Sequence, residues 1–505
     1  MSTSPRTRRS IASLLAVLAC ALAAPLAAQQ PTRPAPAPAP APPPPAPAPQ
    51  PLPQAPTVPG APTAVTSLPG TAPTGQCDLL VTPNSDSTHF TSAKLPSGEY
   101  NNFVGGGVTG HCPVQQITLI ADSAEWFGDL HMWHLIGHVH YVEPRITMDS
   151  DVATYYLTDE HLLSEGNVHA LLPSGTTLVG PRVEYYRAAP KIRPSSHMVA
   201  PGRPTINVIE KDSTGNPSEP TVVVANTVVM DGDSLVYASK DVVITRTDVI
   251  ATGDTAAMNN QSQFARLMRS PKIVSRGKKQ FTLFGDVIDL FGKQHALERV
   301  LSKGKAKSVS DSATMTADTI DFRMDAGLLQ RAYAWGKSRA HAVNPQYDVL
   351  ADSIDLRMPG QRTREIRAVR MAFAQSTPDT SKLHTKEKDW MRGDTITAHF
   401  DSVQAPGDTS SQPQMRQLIS QGSAQSFYQL AAKDSGVVGP AINYVKGRDI
   451  SLAFANRVVQ TVDVRDQAQG LYLEPQVPGR SDTLKARTQA TQQPTRPTRP
   501  PPGPP

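Results

Sequence analysis

The chain has 505 residues, 39% hydrophobic and 18% charged, with a net charge of +5 to which Arg6, Arg8 and Arg9 at the extreme N-terminus contribute. The remainder is close to charge balance, which excludes the basic footprint of a nucleic-acid binder. Forty-eight prolines, crowded toward the two ends, exclude a single core built from the whole length.

Residues 1–28 have the pattern of an export signal: a basic start, an apolar run from Ile11 to Leu18, and small residues from Ala21 to Ala28. That run is too short to span a bilayer comfortably, and the expected cut falls near Ala28-Gln29. Val17-Leu18-Ala19-Cys20 is also loosely similar to a lipoprotein signal, in which Cys20 would carry the lipid. Residues 29–75 are dominated by Pro, Ala, Thr and Gln, a composition that favours extended polyproline conformation and builds no core. The segment 476–505 is similar, and disorder is expected at both ends. In an exported chain Cys77 and Cys112 are the candidates for a disulfide.

From Ala121 onward a short pattern recurs: Gly or Ala, a polar residue that is usually Asp, then apolar residues two apart. It begins at Ala121-Asp122, Ser150-Asp151 and Gly180-Pro181. It returns at Ala225-Asn226, Gly253-Asp254, Gly285-Asp286, Ala317-Asp318, Ala351-Asp352, Gly393-Asp394 and Gly447-Arg448. Most steps are roughly 28 to 34 residues, the range of stacked supersecondary units. The spacing of two marks strands with one buried face. A second half trails several copies, as in Gly137-His138-Val139, Gly166-Asn167-Val168 and Gly304-Lys305-Ala306. Each unit is therefore strand, connection, Gly, strand.

The fold class is all-β, and Phe264 to Met268 is the single stretch that suggests a helical turn. Pro190 to Pro220 interrupts the spacing. It sets a first module at 76–190, a linker at 191–220 and a second module at 221–475. About ten layers at about 4.8 Å give a groove roughly 50 Å long.

Alternation places one set of apolar residues inside: Ala124 with Trp126, Val139 with Tyr141, Ala153 with Tyr155, Val168, and Val183 with Tyr185. The same holds for Ile288 with Leu290, Ile320 with Phe322, and Ile354 with Leu356. The Asp of each copy shares their parity and is expected at the rim, taking backbone hydrogen bonds at the bend. An acid repeated at equivalent places fits turn chemistry better than catalysis.

His138 and His140 lie on one strand face, as a metal pair would, but His138 fills the slot that Asn167 takes in the next repeat. The default reading is a solvent-facing polar position, with no metal. Basic clusters at 276–279, at Lys303, Lys305 and Lys307, and at Arg362, Arg364, Arg367 and Arg370 are solvated loops by default and phosphate contacts otherwise. Gly105 to Gly110 spells a dinucleotide-type glycine pattern without its strand–helix setting and is expected as a turn. With no nucleophile or P-loop motif, neither catalysis nor a cofactor is expected.

The strand Asp122-Ser123-Ala124-Glu125-Trp126, then Gly166-Asn167-Val168, then Thr177-Leu178-Val179-Gly180 leading to Tyr185-Tyr186, resembles the OstA-like (LptA-like) family of lipopolysaccharide transport. The second module keeps the Gly-Asp-x-Ile-Asp-Leu strand at Gly285 to Leu290 with drifted spacing, and the resemblance covers about 350 residues in all. It implies an open, V-shaped β-jellyroll whose apolar interior holds acyl chains, with the residues above lining a lipid groove. It further implies a periplasmic, non-enzymatic carrier of lipopolysaccharide or a related glycolipid. Its partners would be other transport components, or a second copy added by end-to-end strand pairing. The main alternative is a β-solenoid scaffold or adhesin of the cell envelope with a packed interior. A carbohydrate-processing enzyme on a parallel β-helix is the third.

Overall fold

A computed structural model describes residues 80–474, apart from 84–87, 190–191, 210–218, 277–279, 295, 311–312, 346, 378–384, 403–412, 431–438 and 456–457. The export signal, the proline-rich segments, Cys20 and Cys77 lie outside the described residues. Cys112 is disulfide-bonded.

The described residues are all-β. The first strands are β1 (Leu80–Pro83), β2 (His89–Lys94), β3 (Tyr100–Cys112), β4 (Ile117–Phe127), β5 (Met132–Glu143), β6 (Ile146–Tyr156), β7 (His161–Leu171) and β8 (Thr177–Tyr186). Next come β9 (His197–Pro201), β10 (Thr205–Val208), β11 (Thr221–Val224), β12 (Thr227–Asp231), β13 (Leu235–Thr245), β14 (Val249–Asn259), β15 (Phe264–Met268), β16 (Lys272–Ser275), β17 (Phe281–Phe284) and β18 (Val287–Lys293). The last are β19 (Ala296–Ser310), β20 (Thr314–Asp325), β21 (Leu328–Val343), β22 (Tyr347–Arg357), β23 (Glu365–Ser376), β24 (Asp389–Ser402), β25 (Pro413–Leu430), β26 (Ala441–Ala455), β27 (Val458–Arg465) and β28 (Gln469–Leu473).

These 28 strands form one sheet through antiparallel pairings. Six pairs of short strands are the two halves of one rung. β9 and β10, for example, both pair with β8, and β17 and β18 both pair with β19. The 28 strands therefore make 22 rungs. At about 4.8 Å per rung the ladder runs on the order of 100 Å, twice the expected length. The sequence pattern marks every second rung, because the bend of the intervening strand is built from Gly and a different neighbour.

Each long rung is folded at its middle. The register slips between Ile120 and Ser123, between Ile136 and Val139, between Asp149 and Val152, and again between Lys303 and Ala306. A bulge at each slip bends the strand into two arms. It also resets the alternation, so Ala121 and Ala124 are both buried while Asp122 between them is exposed. This corrects the expected inward parity of the repeated Asp. The carboxylate instead sits outside the bend, against the Gly of the next strand. Asp122 meets Nδ1 of His138 at 2.8 Å, Asp151 accepts from Asn167 Nδ2 at 2.8 Å, and Asp318 accepts the backbone N–H of Ser338 at 2.8 Å. A Cβ on Gly137, Gly166 or Gly304 would overlap the facing carboxylate, and all three have positive φ.

Three further expectations change. Phe264 to Met268 is β15, paired with β14 and β18, because its side chains alternate across a sheet. The expected linker 191–220 carries β9 and β10, so hydrogen bonding continues from β8 to β11 and β12. The glycines at 105–107 form the mid-strand bend of β3 and not a terminal turn. A single apolar cluster runs between the arms from Val104 to Phe454.

Candidate functional site

The interior between the two arms is the candidate site, and its character changes along the ladder. In the N-terminal rungs it is filled. Ala124, Val139, Tyr141, Ala153, Tyr155, Val168, Val183 and Tyr185 are all buried, and Trp126 is half-buried with its ring 5.2 Å from that of Trp133. The rings of Tyr141 and Tyr155, and of Tyr141 and Tyr185, lie 6.4 Å apart. These tyrosines leave the volume of the first module to protein.

Their hydroxyls need partners in that setting, and they find a buried ionic group. Tyr155 donates to Glu160 Oε2 at 2.6 Å, Tyr141 donates to Glu143 Oε2 at 3.1 Å, and Tyr185 donates to Glu143 Oε1. Arg187 donates from Nε to Glu143 at 2.9 Å and from Nη1 to Glu160 at 3.2 Å. Gln115 adds a bond to Glu160 Oε1 at 2.9 Å.

The topology gives this group its meaning. Glu143 ends β5 on one lip of the folded rungs, beside the 113–116 turn that holds Gln115. Glu160 and Arg187 follow β6 and β8 on the opposite lip. Hydrogen bonds between the lips close this part of the molecule opposite its bends. Burial, with the charge of Glu143 or Glu160, pushes all three tyrosine hydroxyls well above their ordinary range. Burial alone would lower Arg187, but its hydrogen bond and charge contact with Glu143 outweigh that and keep it cationic.

Further along, the interior opens. The cross-strand file that begins Trp133, Tyr155, Leu162, Tyr185 continues through Met198 and Met230. It later becomes Phe322, Ala332, Leu356, Ile366 and Ala398. On the facing arm the file beginning at Tyr141 reaches Ser308, Met315, Ala342, Val349 and Ala374. Where small residues face small residues the arms do not meet, and a cavity of about 120 Å³ remains. Its lining extends from Ser308 to Leu418 and includes Met358, Ala368, Ala374, Ile396 and Ala398. An engineered apolar cavity of about 150 Å³ stays dry and accepts benzene, and this one is of similar size with a largely apolar lining.

Of the sequence-derived groove residues, Phe322, Ile354 and Leu356 line this cavity. Ile288, Leu290 and Ile320 are buried in the same cluster but outside the lining, and the candidates from Ala124 to Tyr185 belong to the filled rungs. Alanines 332, 342, 368, 374 and 398 were missed, because a search for large apolar residues finds what fills space and not what leaves it. The available signal was Ala at alternate positions, as in Ala332-Tyr333-Ala334 and Ala372-Phe373-Ala374.

The polar candidates are held by the fold itself. His138 and His140 each face an Asp across the strand, His140 at 2.5 Å from Asp149, and Lys303 pairs with Asp289 at 3.0 Å. Comparison with family models and with curated proteins finds no match to this chain.

Proposed function

We propose that the chain is an open β-jellyroll of the OstA-like kind, a non-enzymatic carrier that holds the acyl chains of lipopolysaccharide or a related glycolipid between its arms and passes them across the periplasm. The observation that carries this reading is the apolar cavity spanning β19 to β25. Each methylene moved from water into such a space is favourable by about 0.8 kcal/mol, and the lining offers no fixed charge. The terminal strands suit addition of a transport component or a second copy. Phe90 on β2 and Leu471 and Tyr472 on β28 are exposed large side chains there.

The second reading, a packed envelope scaffold, draws on the filled and latched rungs β5 to β8. The two readings separate by photocrosslinking. A photoreactive residue at Ala368 should capture lipid in cells that make the protein, while one at Val183 should capture none. Absence of lipid from the Ala368 position, together with an organic extract of the purified protein free of glycolipid, would leave the scaffold.

A further inference from the structure

The outer face of β18 to β22 carries a charge pattern that the interior reading does not use. Asp289, Asp321 and Asp355 sit on every second strand and are nearly buried, and each is held by two cations. Arg266 binds Asp289 at 2.7 Å, with Lys303 at 3.0 Å. Arg299 binds Asp321 through two nitrogens at 2.8 and 3.0 Å, and Arg323 adds a contact at 3.1 Å. Arg331 binds Asp355 at 2.7 and 2.8 Å, and Arg357 lies 3.5 Å from the same carboxylate and 3.7 Å from Glu365.

Four of these arginines stand directly opposite one another on consecutive strands: Arg299 with Arg323, Arg323 with Arg331, and Arg331 with Arg357. Like charges in that position are unfavourable, and the three carboxylates in contact with them, Asp321, Asp355 and Glu365, leave one cation in excess. Arg323 and Arg357 are the most exposed of the four, with about half of each side chain open to solvent (48% and 53%). These two exposed guanidinium groups stand two rungs apart, about 10 Å. Between the cations the same face presents aromatic rings. Tyr333 and Trp335 are stacked with centroids 4.7 Å apart, and the guanidinium of Arg331 lies over Tyr333. Ala332 and Ala334, between and beside them, point inward.

We propose that this face docks on an anionic lipid surface, with Arg323 and Arg357 taking phosphate groups and Tyr333 and Trp335 resting at the headgroup level. A lipid surface is favoured over a soluble polyanion because amphipathic rings among cations on a sheet face are the side chains that partition to a bilayer interface. The proposal does not depend on lipid carriage in the interior.

The test is co-sedimentation of the whole chain with vesicles of phosphatidylcholine and phosphatidylglycerol in a three-to-one ratio. The wild type should bind these, release with added salt, and ignore pure phosphatidylcholine vesicles. Arg323→Gln with Arg357→Gln should bind about 25-fold more weakly, from roughly fivefold per cation removed. Asp321 and Asp355 keep their two-nitrogen partners in that variant, so it should fold, as circular dichroism would show. Arg323→Lys with Arg357→Lys should bind nearly as the wild type does. Arg416→Gln with Arg448→Gln, which removes equal charge from other rungs, should change little. Vesicle binding that is equal in the first variant and the wild type would overturn the proposal. So would binding that soluble polyphosphate retains and vesicles lack, which would assign the stripe to another polyanion.

Discussion

Asp389 shows how burial at one position sets a pH dependence. It begins β24 with most of its surface covered, and its Oδ1 accepts the Gln429 backbone N–H at 2.9 Å and the side-chain Nε2 at 3.2 Å. Burial pushes its carboxyl up to about 6 from an ordinary 3.8, against the two Gln429 bonds that pull the other way. Below pH 4 the acid is protonated in both folded and unfolded chains and costs nothing. Between about 4 and 6 the unfolded chain loses this proton while the folded one keeps it, so stability falls as pH rises. Above 6 the deficit is constant, on the order of 3 kcal/mol for a shift of about two units. Asp389→Asn preserves an oxygen for Gln429 and removes the ionisation. Urea melts at pH 7 should then show a variant more stable by about 2–3 kcal/mol, with the gap closing toward pH 4. A variant less stable at pH 7 would mean that the ionised carboxylate is favoured where it sits.

The folded rung is the element from which the molecule is built, and half of it was legible in the sequence. Period-two alternation at Ile288, Leu290, Ile320 and Phe322 identifies strands and their buried face, because one strand's packing is written in its own side chains. The bend was not legible. The step of three between buried Ala121 and Ala124, opposite the bulges of the neighbouring strands, changes which side Asp122 faces, and alternation taken across a bulge comes out inverted. Nor was the closure of the lips, since Glu143, Glu160 and Arg187 are separated in sequence and none belongs to the repeated pattern. Their arrangement makes a prediction. Arg187→Met leaves two nearly buried carboxylates without their cation and should cost about 3–5 kcal/mol. Adding Glu143→Gln and Glu160→Gln should restore most of it, because neutral amides need no counter-charge. Chemical denaturation of both variants checks this, and a change under about 1 kcal/mol in the single variant would show that the latch does not hold the lips.

At the scale of the whole molecule, a continuous ladder of 22 rungs has two interiors. The change from Tyr141, Tyr155 and Tyr185 to Ala332, Ala342, Ala374 and Ala398 decides where hydrocarbon fits. An arginine at Tyr155 or Val168 would be a poor probe of lipid loading, since an unpaired charge in the filled rungs unfolds them with or without a ligand. The discriminating substitution fills space without adding charge. Ala374→Leu with Ala398→Leu places hydrocarbon on both arms of the cavity, where close packing is favourable up to the point of strain. The thermal midpoint should hold or rise by a few degrees, while glycolipid recovered by organic extraction and mass spectrometry should fall at least tenfold. If the filled variant is as stable as the wild type and carries as much lipid, the acyl chains lie elsewhere, and the cavity between β19 and β25 is a packing defect of a scaffold.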